Sequence, residues 1–245
     1  MTTVFLFRWG AIFGILFLWT ALASCHFPVL TLEQNEISLG RAAIIRLRYG
    51  HPFESEWENC PKPLSLMAHT PEGKIVPLTL QKIETKMGDK TIDQFQAQYV
   101  PTTRGDHKIV ATLAPKKTPG AQTPVQEIAA TWLHIQQEKG WDKRVDGWTA
   151  MTRPYAILPG MVFQARLPKP ATFEFELLNE NPPNPLPKPS LITFTGNTDD
   201  RGIATLSLPK AGWWGLAAGQ DSLDPNGKPL RLLHVLWLKL DALDK

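Results

Sequence analysis

Residues 42–54 read Ala-Ala-Ile-Ile-Arg-Leu-Arg-Tyr-Gly-His-Pro-Phe-Glu, and the fold is read outward from this stretch. Ile45, Leu47 and Tyr49 alternate with Arg46 and Arg48, the period-two pattern of a strand with one buried face. Gly50 ends the run. Pro52 then makes the next segment a rigid turn, leaving His51 at a strand-to-loop position.

The same grammar recurs on both sides. Residues 36–39 and 64–69 are apolar-patterned runs, and the second stops at Thr70-Pro71-Glu72-Gly73 before a hairpin partner at 74–78. Residues 93–100 alternate with Phe95, Ala97 and Tyr99 inward, and Arg104-Gly105-Asp106 turns into a run at 107–113. Residues 116–125 are a Pro/Gly/Thr-rich loop. Residues 126–135 fit a strand or a short helix, and the strand is preferred because it closes a first sandwich. After a link around Trp141, strand-like runs follow at 161–167, 172–178, 192–195, 203–208, 212–218 and 230–240. Residues 179–189 hold five prolines in eleven positions, which requires an exposed loop. Trp213 and Trp214 are adjacent on a strand, so they point to opposite faces, and at least one belongs to the core. No stretch keeps a helical period. The expected fold class is all-β: two immunoglobulin-like or prealbumin-like β-sandwich domains, residues 27–137 and 141–245, after a signal segment at 1–25.

The signal segment has one early charge, Arg8, then an apolar run from Trp9 to Trp19, then Ala21-Leu22-Ala23-Ser24-Cys25. These are the n-region, h-region and cleavage zone of an export signal, too short for a comfortable membrane span. Cleavage after Ala23 leaves Ser24 first. Alternatively, Leu22-Ala23-Ser24-Cys25 resembles a lipobox in which Cys25 is lipidated, tethering a soluble body to a membrane facing the periplasm or cell exterior. The chain has only two cysteines, and the other options for Cys25 are a free thiol or a disulfide with Cys60.

A net charge of +3 with scattered basic residues gives no electrostatic footprint for nucleic acid. No G-x-S-x-G, P-loop, H-E-x-x-H or G-x-G-x-x-G occurs, so no enzyme is expected. The metal-ligating candidates are three. His26 lies beside the processing point, where a Ser24-Cys25-His26 terminus would present an amine, two amides and an imidazole, a square-planar set for Ni(II) or Cu(II). His51 and Glu54 flank a rigid Pro52-Phe53 segment and could supply an imidazole and a carboxylate. The bland alternatives are a surface imidazole and a turn-shaping box.

Taken in order, Cys25-His26-Phe27 with Glu33, Gly50-His51-Pro52-Phe53-Glu54, Arg104-Gly105-Asp106, Gly140-Trp141-Asp142, Thr152-Arg153-Pro154-Tyr155, Pro159-Gly160-Met161-Val162-Phe163-Gln164, Ala211-Gly212-Trp213-Trp214-Gly215 and Val235-Leu236-Trp237 resemble the DUF4198 family. The likeness covers nearly the whole mature chain and points to NikK-like periplasmic components of nickel and cobalt uptake. It implies an extracytoplasmic accessory protein that binds Ni(II) or Co(II), with His26 and His51 as ligands and a metal transporter as partner. A metal-free envelope module contacting a protein or glycan is the alternative. The chain departs from the family pattern at His107, where an aromatic is expected, and at Lys239, where His is common.

Overall fold

The computed structural model describes residues 26–87, 89–117, 122–143, 145 and 147–243. The expected signal segment at 1–25, with the lipobox reading of Cys25, lies outside the described residues. The strands of the first half are Phe27–Leu32 (β1), Ala43–His51 (β2), Glu56–Glu58 (β3), Ser65–His69 (β4), Ile75–Pro77 (β5), Gln81–Met87 (β6), Lys90–Tyr99 (β7), Gly105–Thr112 (β8) and Val125–Ile135 (β9). The second half adds Thr149–Ala150 (β10), Val162–Arg166 (β11), Thr172–Leu177 (β12), the short helix Pro189–Ile192 (α1), Phe194–Asn197 (β13), Ile203–Ser207 (β14), Gly212–Leu223 (β15) and Pro229–Leu240 (β16). The all-β expectation holds.

Alternation explains β2: Ala43, Ile45, Leu47 and Tyr49 are buried while Arg46 is exposed. β1 differs, being buried at all six positions. Its one face meets the facing sheet, where the Trp237 indole N–H donates to the Pro28 carbonyl at 2.9 Å. β1, β2, β7 and β6 form one sheet with β3 paired to β2, and β10, β11 and β14 form a small second sheet.

The third sheet draws on both halves of the chain. It runs β13-β12-β15-β16-β9-β8-β4-β5, so eight strands from both halves are continuous. The seam is a parallel pairing of β16 with β9, Arg231 opposite Val125 through Leu236 opposite Ala130. Two cores lie against this shared sheet. One gathers residues such as Val29, Leu30, Ile45, Leu66, Ile109 and Leu133. The other gathers Trp148, Phe163, Leu167, Leu206 and Leu216. Each borrows across the boundary: Trp132 of the first half is in the second core, and Val235 and Trp237 of the second half are in the first. Fully burying one such aliphatic or aromatic side chain stabilises by roughly 1.5–3 kcal/mol, so these exchanges bind the halves together.

Two local expectations give way. Residues 36–39 form no strand, only an isolated bridge of Glu36 to His134. The run at 192–195 begins two residues later, because Pro189 starts α1 and the strand resumes at Phe194. Trp213 and Trp214 do split between faces: Trp214 is in the second core and Trp213 packs on the first.

Candidate functional site

The register of β1, β2 and β3 builds the site. Phe27 pairs with Gly50, which sets His26 across from His51. On the other side of β2, His51 pairs with Glu56 and Tyr49 with Glu58. Cross-strand partners project from the same face of a sheet, so two imidazoles and two carboxylates are gathered over Tyr49. Gly50 makes the third strand possible. Its φ is +146°, and a Cβ there would meet the Glu56 carbonyl oxygen at 2.2 Å.

The His26 and His51 rings stand 4.1 Å apart between centroids, tilted by 50°. His26 Nε2 lies 3.0 Å from Glu58 Oε1, with the His26 side chain 35% exposed. They open on a cavity of about 640 Å³ also lined by Glu56, Asp89 and Lys90. Three carboxylates against one ammonium make this rim attractive to cations. Imidazole is a borderline donor suited to Ni(II), Co(II), Cu(II) and Zn(II). Among the described residues, no three His, Cys, Asp or Glu side chains stand close enough together to hold a metal ion. The structure therefore brings His26 and His51 into one pair without a third such ligand alongside.

The floor under this pair was not legible in the sequence. The Tyr49 hydroxyl lies 3.0 Å from Glu127 Oε1 and 3.3 Å from the His26 carbonyl oxygen. The Lys116 ammonium donates to that hydroxyl, sits 3.1 Å from Glu127 Oε1 and lies over the Tyr49 ring. Glu127 is 2% exposed, and its Oε2 is buried with no hydrogen-bond partner. Burial pushes its carboxyl above the usual range, while the charges of Lys116 and His26 pull it down. The one available signal was an acid directly before the mostly apolar run Ile128-Ala129-Ala130-Thr131-Trp132-Leu133 of β9.

Glu54 is not part of the pair. The box Gly50 to Glu54 spans two environments: His51 faces the cavity, Phe53 packs on the second core, and Glu54 turns toward Glu176 of β12. Asn179 N donates to the Pro52 carbonyl at 3.0 Å and holds this turn down. Glu176 is 5% exposed and accepts from the Thr193 hydroxyl at 2.8 Å. Burial, with repulsion from Glu54 and Glu174, pushes its carboxyl up to about 7. Cys25, the other half of the disulfide option, lies outside the described residues. Cys60 is a free, buried thiol pushed up to about 12 by burial and the Glu127 charge.

The remaining motif residues are structural. His107 is wholly buried, its Nδ1 2.8 Å from the Tyr99 hydroxyl and its Nε2 3.0 Å from the Thr103 carbonyl. Arg104-Gly105-Asp106 and Arg153-Pro154-Tyr155 meet at the junction of the halves. His134 Nδ1 is 2.7 Å from Asp106 Oδ1, the His134 ring stacks on Tyr155 at 3.6 Å, and Arg153 pairs with Glu138 and lies over Tyr155. The Asp106 N–H donates to the Lys139 carbonyl at 2.8 Å. This cluster is a clasp between the halves, although Asp106 Oδ2 and the Tyr155 hydroxyl are buried in it without hydrogen-bond partners. Among the described residues no helix is long and apolar enough to cross a membrane.

The chain belongs to the family described as Domain of unknown function (DUF4198), whose model matches residues 23–222. No curated protein matches it. Solved structures with partial likeness include a DUF4785 family protein from Legionella pneumophila, at 9% identity and TM-score 0.33 over 78% of this chain and 52% of that one. Another is the alpha-2-macroglobulin of Escherichia coli activated by porcine elastase, at 12% identity and TM-score 0.29 over 89% of this chain and 20% of that one. A Ca2+-stabilized adhesin of an Antarctic bacterium follows at 9% identity and TM-score 0.24, over 92% and 51%. The chain thus spans about half the length of the first and third and a fifth of the second. Scores this low carry no inference.

Proposed function

We propose that this DUF4198 member is an extracytoplasmic accessory protein that binds a divalent transition metal, nickel or cobalt, in support of its uptake. It is not an enzyme on this reading. The N-terminal segment takes it out of the cytoplasm, by a lipid on Cys25 or a processed signal, and a metal transporter is the partner that receives the ion. The observation that supports the reading is the His26–His51 pair, set ring beside ring across two strands under an acidic rim. An arriving hydrated cation is drawn by Glu56, Glu58 and Asp89, and the two imidazoles then replace part of its water shell. A site with few protein ligands and several exchangeable waters suits hand-over, because release needs only two strong bonds to break.

Isothermal titration of the exported, processed protein with Ni(II), Co(II), Cu(II) and Zn(II) tests this. Binding in the micromolar range or tighter is expected, and it should fall in His26→Ala and His51→Ala. Binding that both variants retain, or none at all, would return the chain to the metal-free scaffold alternative.

A further inference from the structure

The face of the five-stranded sheet turned away from the first core carries a polar cleft that metal binding does not use. Arg46 and Arg48 alternate with Ile45 and Leu47 on β2, and Arg46 pairs with Gln96 of β7. Leu47 pairs with Phe95, so Arg48 and Gln94, one residue further along each strand, fall on the opposite face. Leu178, Glu180 and Trp213 of the second half wall this face and bound a cavity of about 580 Å³. Small-molecule sites occupy about 300–1,000 Å³, so the cleft has room for one.

Two donors in its floor are unmet. Gln94 is 4% exposed and its Nε2 is buried with no hydrogen-bond partner, and Arg48 Nε is in the same state. The guanidinium is nonetheless held in place. Its Nη1 donates to Glu180 Oε1 at 3.1 Å, and its Cζ lies 4.3 Å from the centre of the Trp57 ring. The last torsion of a glutamine is broad, so the Gln94 amide turns to offer its N–H groups to the cleft without moving the strand. A buried donor left unmet costs stability, and an acceptor arriving through the cleft removes that cost.

The charges of the cleft select the acceptor. Arg46 pairs with Glu33 and Arg48 with Glu180, so the four charged residues lining it cancel. A balanced lining gives a phosphate or sulfate no excess charge to hold. What remains is the amides of Gln94 and Gln96, the hydroxyls of Thr31 and Thr85, and the half-buried Trp213 indole as an apolar wall. A sugar ring matches that set, with oxygens for the donors and C–H groups for the aromatic surface.

We propose that this cleft binds a short neutral oligosaccharide, with Gln94 and Arg48 donating to its oxygens and Trp213 bearing a sugar face. The proposal does not rest on the metal-binding reading.

The test titrates the full exported protein, freed of metal, with maltotriose, cellotriose and triacetylchitotriose in a calorimeter, and with trigalacturonate as the acidic control. At least one neutral trisaccharide should bind with a Kd of about 1 mM or tighter. Gln94→Leu should weaken that binding about tenfold or more and leave Tm unchanged or higher, because an apolar side chain of similar size removes the unmet donor. A purely structural Gln94 would show the reverse, a lower Tm with affinity intact. Trp213→Ala should abolish binding, and Gln94→Leu decides the matter if Trp213→Ala fails to fold. The proposal is overturned by binding of trigalacturonate alone, by binding that Gln94→Leu leaves intact, or by no neutral trisaccharide binding at about 10 mM.

Discussion

His26 with His51 and His134 with Asp106 are built from the same imidazole, and the surroundings make them different objects. His134 is 5% exposed, bonded to a carboxylate that is 1% exposed and stacked on Tyr155. Its Nδ1 is committed to Asp106, and its ring is covered by Tyr155. His26 is a third exposed, it pairs with a Glu58 side chain 56% exposed, and a cavity lies in front of it. The buried cluster sets an imidazole–carboxylate pair of the first half against the Tyr155 ring of the second. The rim keeps its groups where a solute can reach them. Burial and partner count, not residue type, separate a clasp from a binding site.

The contrast is sharpest in stability. Asp106→Ala should cost about 3–5 kcal/mol, because it leaves a buried imidazole without its partner. Thermal denaturation should show a large fall in Tm, while nickel affinity of the folded fraction stays unchanged. A loss under 1 kcal/mol would mean that the clasp is not what holds the junction.

Glu176 tests whether burial alone sets the behaviour of an acid here. Its carboxyl is raised to about 7 by burial, then by Glu54 and Glu174. A carboxyl raised in the folded state binds more protons there than in the unfolded chain. Stability should therefore be highest below the unfolded value near 4.5 and fall as pH rises through about 7. The span is about 3 kcal/mol by linkage. Glu176→Gln should flatten that part of the stability-against-pH curve, measured by denaturant titration between pH 4 and 8. A slope unchanged in the variant would assign the effect elsewhere.

At the rim the order reverses. His51→Ala should weaken Ni(II) binding about tenfold or more, about 1.4 kcal/mol in the binding equilibrium. Its melting temperature should barely move. The smallest expected effect is that of His26→Ala on folding, under about 1 kcal/mol, since an exposed ion pair contributes little. A large destabilisation by His26→Ala would make the rim a second clasp and break the comparison.

Much of the fold was legible because a strand writes its burial into a two-residue period. Ile45, Leu47 and Tyr49 gave away β2, and the Trp213-Trp214 dipeptide gave away a strand with a core on each side. His26 and His51 could be singled out by chemistry, since few residues ligate borderline metals. Glu54 could not be placed by spacing. Three residues from His51, it lies past the turn at Pro52 and answers to Glu176, more than 120 positions away. Glu127 and Lys116 were hidden for a similar reason: one sits inside a largely buried strand and the other at the edge of a loop, and their 3.1 Å pairing beside Tyr49 forms only in the fold.

The order of residues alone determined that this is a β protein, where most strands lie, and which imidazoles merit attention. These follow from local alternation, turn chemistry and donor type. Tertiary structure alone decided that β16 joins β9 to make one sheet of both halves, that His26 faces His51, and that Lys116 covers Glu127. Strand pairing is made by backbone groups that every residue carries, so its partners leave no mark in local pattern; register and burial, settled only when distant segments meet, choose which side chains touch.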